Sequence, residues 1–247
     1  MKEKSITQHD FHKIFLLYEL MENDYSGGQL LDKMNVKFPY KVNVPQYIYK
    51  ALRSLKNEHE IAVAYVENKV HYFTITSKGK DRYYQYKKEL VPKFKNMKQV
   101  IDCLVYTVTG GSYTSQRPEP PKALSKEDQR FFSSHLNVKD IIAYEILARG
   151  TNTPFITAHL LEDIESKYGW SSSKTWMYDV IHHFEENGYL VGKWDDPVLR
   201  TLRYYRVTDE GVSMFQSFSH QVRENVLHCQ HFFSQVLDLL DSSKGDK

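Results

Sequence analysis

Apolar residues return every three or four positions over the first part of the chain. Phe11, Phe15 and Tyr18 share one face of a helix predicted near 9–22, and a second helix follows near 27–34. A third is predicted near 45–58, with Ile48, Leu52 and Leu55 as its inward stripe. Pro45 suits its first turn, where the missing N–H is not needed. The period then shortens to two, which predicts strands over 61–67 and 70–76 about the turn Asn68-Lys69. Helical spacing resumes over 78–108, with a bend expected at Pro92 because its ring disrupts a helix interior.

The second half repeats this order. Helices are predicted near 138–149, 156–167 and 173–187, strands near 189–195 and 201–208, and a long helix over 210–240. Tyr49, Leu52, Leu55 and Ile61 return as Tyr178, Ile181, Phe184 and Leu190. Gly188 stands where glycine commonly ends a helix in the left-handed conformation, and His59 takes that place in the first copy. Thr208, ahead of Asp209 and Glu210, reads as a helix start; Thr76-Ser77-Lys78 is a weaker form of it. Between the copies, residues 109–126 hold Gly110-Gly111 and three prolines without an apolar period, which marks a linker. The expected domains are 1–108 and 127–247.

Three helices followed by a hairpin is the order of a winged helix, whose third helix can enter a major groove while the hairpin reaches flanking backbone. The expected fold class is mainly α with small β-hairpins (α+β), as two winged helix-turn-helix domains, each followed by a long helix. The run from Tyr178 to Leu190, with Glu185-Glu186-Asn187-Gly188, followed by Arg203-Tyr204-Tyr205-Arg206-Val207-Thr208-Asp209-Glu210-Gly211, resembles PadR-type transcriptional regulators. In the first half Tyr49-Lys50-Ala51-Leu52-Arg53-Ser54-Leu55 and Tyr72-Phe73-Thr74-Ile75-Thr76-Ser77-Lys78-Gly79 carry the likeness more loosely. The resemblance implies a bacterial, archaeal, plasmid or phage repressor that dimerises through its C-terminal helix. It also implies that some relatives take flat aromatic effectors between those helices. With two such units in one chain, helices 78–108 and 210–240 are expected to pair as a pseudo-dimer, or to mediate self-association.

Successive helical residues turn by about 100°, so the residues between the inward stripes define the reading faces. In the first copy these are Gln46, Lys50, Arg53 and Asn57, types that reach phosphates, guanine edges or adenine. Lys41, Tyr47, Tyr49, and Lys69 and His71 on the hairpin complete the expected DNA contacts of this head. The second copy turns Thr175, Asp179, His182 and Glu186 outward, and its two carboxylates would oppose phosphates. Its contacts are therefore expected at Ser171, Ser173, Lys174, Thr175 and Tyr178, and on the wing at Lys193, Arg200 and Arg203.

Charge sharpens this asymmetry. The net charge is +2, but residues 1–110 hold 18 Lys and Arg against 12 Asp and Glu, while the remainder holds 15 against 19. The basic surplus of a polyanion binder lies in the first half alone. No run approaches the roughly 18 apolar residues of a membrane span, and no apolar leader follows Met1, so a cytoplasmic protein without membrane contact is expected. Cys103 and Cys229 are expected as small apolar residues on buried helix faces. The pairs His9/His12 and His228/His231 lack further ligands for a metal, and neither Gly27-Gly28 nor Gly110-Gly111 has the context of a phosphate loop. Most of the 18 Tyr, 13 Phe and 3 Trp are expected to fill cores. No cofactor, metal or enzymatic activity is expected.

The function these features imply is promoter occlusion by a sequence-specific regulator bound to double-stranded DNA. Two other readings fit tandem winged helices: a plasmid or phage replication initiator, and an adaptor or antirepressor whose acidic second head meets a protein partner.

Overall fold

The computed structural model describes residues 6–40, 44–113, 116–151, 153–170 and 173–241. They are mainly helical, with one three-stranded and one two-stranded antiparallel sheet. No helix among them is long and apolar enough to cross a membrane. The chain divides into two compact units, residues 1–95 with 231–247, and residues 96–230. This division cuts through both long helices, where composition had placed the boundary in the segment 109–126.

In the first unit, α1 (Gln8–Glu19), α2 (Gly27–Lys37) and α3 (Pro45–Asn57) precede a hairpin of β2 (Ile61–Glu67) and β3 (Val70–Ile75), and α4 (Ser77–Thr109) leads out of it. Thr7 and Ser26 each cap a helix reciprocally, with Asp10 and Gln29 reaching back to the cap N–H, so orphan amides are satisfied at both starts. A two-residue strand, β1 (Tyr25–Ser26), pairs with Phe73 and Tyr72 and gives the order β1-β3-β2. It was not foreseen, because two residues carry no readable period. Phe11, Phe15, Leu30, Met34, Ile48 and Leu55 are fully buried. Each such side chain contributes about 1.5–3 kcal/mol relative to exposure. Helix α4 runs unbroken across Pro92.

The second unit repeats the order with α6 (Val138–Gly150), α7 (Thr157–Tyr168), α8 (Lys174–Glu186), β4 (Leu190–Trp194), β5 (Arg203–Val207) and α9 (Asp209–Asp241). A single antiparallel bridge between Phe155 and Tyr205 stands where β1 meets Phe73 in the first unit. An additional helix, α5 (Lys126–Ser133), was not expected. Its signal was nevertheless present: Ser125 accepts the Asp128 N–H at 3.1 Å, and Glu127 and Asp128 sit in the first turn. The described part of the expected linker is laid along its own unit. Gln99 donates to the Glu119 carbonyl and Asn96 to that of Lys122, each at 3.1 Å, and Leu124 N–H reaches Gly169 O at 3.0 Å. Prolines remove donors but leave these carbonyls free to accept.

The long helices meet within the chain, antiparallel in each unit. In the first, Tyr83 hydroxyl donates to the Leu239 carbonyl and the rings of Phe94 and Phe233 lie 6.0 Å apart. In the second, Gln230 donates to Asp102 at 2.6 Å and Arg223 Nε to Val108 O at 3.3 Å. Cys103 and Cys229 are unpaired and buried on these helices, and burial pushes both thiols up.

One joint is built the same way twice. Thr76 hydroxyl donates to His59 O at 2.8 Å and accepts Gly79 N–H at 3.1 Å; Thr208 donates to Gly188 O at 2.6 Å and accepts Gly211 N–H at 3.1 Å. Both threonines thus cap the trailing helix and tie it to the end of the third helix. Gly79 and Gly211 lie so close to that crossing that an added Cβ would come 2.0 Å from Glu60 O and 2.2 Å from Tyr189 O. The third helices end alike, with Glu60 N–H reaching Leu55 O at 2.9 Å and Tyr189 N–H reaching Phe184 O at 2.8 Å. Gly188 takes φ +75° there without cost, while His59 is held at φ +58°.

Candidate nucleic-acid interface

Helix α3 presents the expected faces. Ile48, Leu52 and Leu55 are buried, and Gln46, Lys50, Arg53 and Asn57 are exposed along one side. The helix contains no Asp or Glu, so nothing of its own offsets Lys50, Arg53 and Lys56. Tyr47 stacks on the buried His12 ring, with centroids 6.0 Å apart. Tyr49 rests against the start of α2, where a Cβ on Gly27 would come 2.5 Å from its ring. Both tyrosines remain about half exposed, but packing fixes one side of each.

The end of α3 is anchored to α1 by an ion pair. Lys13 Nζ lies 2.6 Å from Glu58 Oε1, which also accepts the Ser54 hydroxyl at 2.7 Å. Burial pushes the Glu58 carboxyl up, but these bonds outweigh it and hold it below its ordinary value. Neighbouring Glu60 goes the other way: burial and the Glu58 charge raise it, against the opposing pull of Arg82. Burial also lowers His9, and the Lys13 and Lys50 ammoniums add to the shift, while Asp10 opposes it. Glu58 opposes it as well.

On the first hairpin, Asn68 and Lys69 take positive φ of 48° and 66°, and Lys69 is exposed at the turn. His71 is exposed opposite Val66. Next to it, the rings of Tyr65 and Tyr72 stack at 4.5 Å, covering part of an otherwise open surface. Lys41 and Ser171 lie outside the described residues.

In the second unit Met177, Ile181 and Phe184 point in, and Thr175, Asp179, His182 and Glu186 are exposed. His182 Nε2 lies 3.3 Å from Glu186 Oε1, one turn along. Ser173 caps α8 by accepting Trp176 N–H at 3.2 Å, and Lys174 and Tyr178 are exposed. On the wing, Lys193 is exposed across from Tyr204, and Arg200 is exposed at φ +50°.

Arg203, expected as a DNA contact on the wing, is half-buried and has partners within the protein. Its guanidinium pairs with Glu185, whose carboxylate also accepts Gly192 N–H at 3.2 Å, and it lies 5.3 Å from the Trp194 ring centroid and 5.4 Å from that of Tyr205. A guanidinium held by a carboxylate and two rings braces helix to hairpin. The exposed positions of this strand are Tyr204 and Arg206, the latter between buried Tyr205 and Val207. Two-residue alternation could have identified it.

The loop between β4 and β5 is organised by its two acids. Asp196 accepts Val198 and Leu199 N–H at 2.7 and 2.8 Å, and Asp195 accepts Leu202 N–H at 2.9 Å and the Thr201 hydroxyl at 2.7 Å. The Thr201 bond and the Leu202 amide hold Asp195 below its ordinary value. Val198 and Leu199 are left 87% and 72% exposed at the tip.

No protein-family model and no curated protein sequence matches this chain.

Proposed function

We propose that this chain is a sequence-specific DNA-binding transcriptional regulator, a repressor acting by promoter occlusion, built from two PadR-like winged helices with the first head dominant in DNA affinity. The observation that carries the reading is the outward side of α3, where Gln46, Lys50, Arg53 and Asn57 are exposed on a helix without carboxylates. Cations on such a face neutralise phosphates, and Gln, Asn and Arg supply forked or paired groups for base edges. Pairing of α4 with α9 inside one chain gives it two heads without a second subunit.

The test is selection of duplexes from a random-sequence pool by the purified full chain, followed by sequencing. A recurring motif among retained fragments is the expected result. Retention of no duplex above background contradicts the reading.

One observation favours a second reading for the second head. Asp179 and Glu186 face outward on α8, and the hydrogen-bonded loop carries Val198 and Leu199 into solvent. An acidic surface with an apolar knob suits a protein partner, as an adaptor or antirepressor would require. In that case D179A/E186A leaves DNA affinity unchanged while binding of the partner is lost.

A further inference from the structure

The second unit carries a basic groove that neither the repeat nor the outward face of α8 announces. It has a volume of about 630 Å³ and is walled by Lys126, Arg130, Lys139, Trp170, Ser173 and Trp176, among others. Lys126 and Arg130 are four apart on α5, so they share one side of that helix, and Lys139 comes from the first turn of α6. All three are exposed. The acids Glu127, Asp128 and Asp140 neighbour them in sequence, but no carboxylate among the described residues lines the groove. Trp170 is buried and meets Phe132 edge-on at 6.0 Å, and Trp176 is half-buried.

We infer that this groove binds the phosphate backbone of duplex DNA. Three cations from two helices line a concavity whose own lining holds no carboxylate, with Asp140 and Asp179 in the adjacent pocket that Lys139 also borders, and such a lining suits a run of phosphates. The groove also takes in Ser173, the cap of α8, so a duplex met by the start of that helix would continue past the groove. The inference rests on the DNA-binding reading and changes its geometry. The acidic outward face of α8 need not enter the duplex, because the second head holds backbone through α5 and α6. Helix α5 has no counterpart among the described elements of the first unit, so this contact belongs to the second copy alone.

The experiment measures the affinity of the full chain for a short random-sequence duplex across a salt series, for wild type, K126Q/R130Q/K139Q and K50A/R53A. Each lost phosphate contact lowers the slope of log K against log salt by about 0.9, so the groove variant is expected to lose about two to three units. A second measurement needs no variant: amine-reactive labelling of the wild-type chain, with and without duplex, should show Lys126 and Lys139 protected and exposed Lys88 unchanged. If K50A/R53A weakens binding while the groove variant keeps the wild-type slope, or both groove lysines stay fully reactive in the complex, the groove proposal is overturned and the DNA reading stands. If the wild-type chain shows no salt-dependent affinity for duplex, both fall.

Discussion

The two units are most alike where backbone crosses backbone and least alike where side chains face water. At the joint between the third and trailing helices, Thr76 and Thr208 make the same bonds, and Gly79 and Gly211 leave the same space. On the outward side of the third helix, Lys50 and Arg53 stand where Asp179 and His182 stand in the other copy. Close packing tolerates little change, because a single added carbon there collides with a carbonyl. An exposed side chain is free to change sign at small cost in stability. The hairpins diverge between these extremes: Glu185, Gly192 and Arg203 make a braced junction in the second unit, at positions filled by Lys56, Val63 and His71 in the first.

The comparison breaks most visibly at the glycines. Gly79→Ala and Gly211→Ala should each destabilise by about 3 kcal/mol or more, because overpacking against backbone leaves no flexible side chain to yield. Thermal or urea unfolding of the full chain checks this, and a large loss in one copy with none in the other would end the claim of a shared joint. Thr76→Val and Thr208→Val keep the shape but remove the cap and the tie to the third helix, for an expected loss of about 1–2 kcal/mol each.

The helix ends should respond with opposite sign. His59→Gly relieves a left-handed side chain and is expected to stabilise by about 0.5–1 kcal/mol, whereas Gly188→Ala imposes one and should cost about 1 kcal/mol. Denaturant midpoints of the two variants measure both.

The smallest effect is acid sensitivity at the Lys13–Glu58 pair. Glu58 is held below its ordinary value, so its contribution to stability is present above the unfolded-state pKa and is lost as pH falls through the lower folded-state value. Thermal midpoints of E58Q should therefore depend less on pH than those of wild type below about pH 4.5. Glu60 runs opposite, since its raised carboxyl costs stability while ionised; burial still raises it in E58Q, but without the added push of the Glu58 charge. Equal pH dependence in the two would remove the pair from the account.

Legibility in the sequence followed the same division. Period and capping marked the eight helices and four strands that build the repeated order, because amphipathic stripes are long enough to count. Strand β1 escaped notice, since two residues have no period, and α5 was hidden beside proline-rich sequence although Ser125 marked its start. The wheel separated buried Ile48, Leu52 and Leu55 from exposed Lys50 and Arg53. It could not show that Arg203 would meet Glu185, eighteen residues away, since that pairing exists only after the hairpin folds onto α8. Lys126, Arg130 and Lys139 likewise come to one groove only in the folded chain.

The central claim, that one scaffold carries two diverged surfaces with the first dominant on DNA, is tested most directly by paired substitutions at equivalent positions. K50A/R53A and D179A/H182A would be compared with wild type for affinity to a selected duplex over a salt series. K50A/R53A is expected to weaken binding at least tenfold and lower the salt slope by about two, with D179A/H182A leaving both near wild type. Wild-type affinity and slope in K50A/R53A, or an equal loss in the two variants, would contradict it.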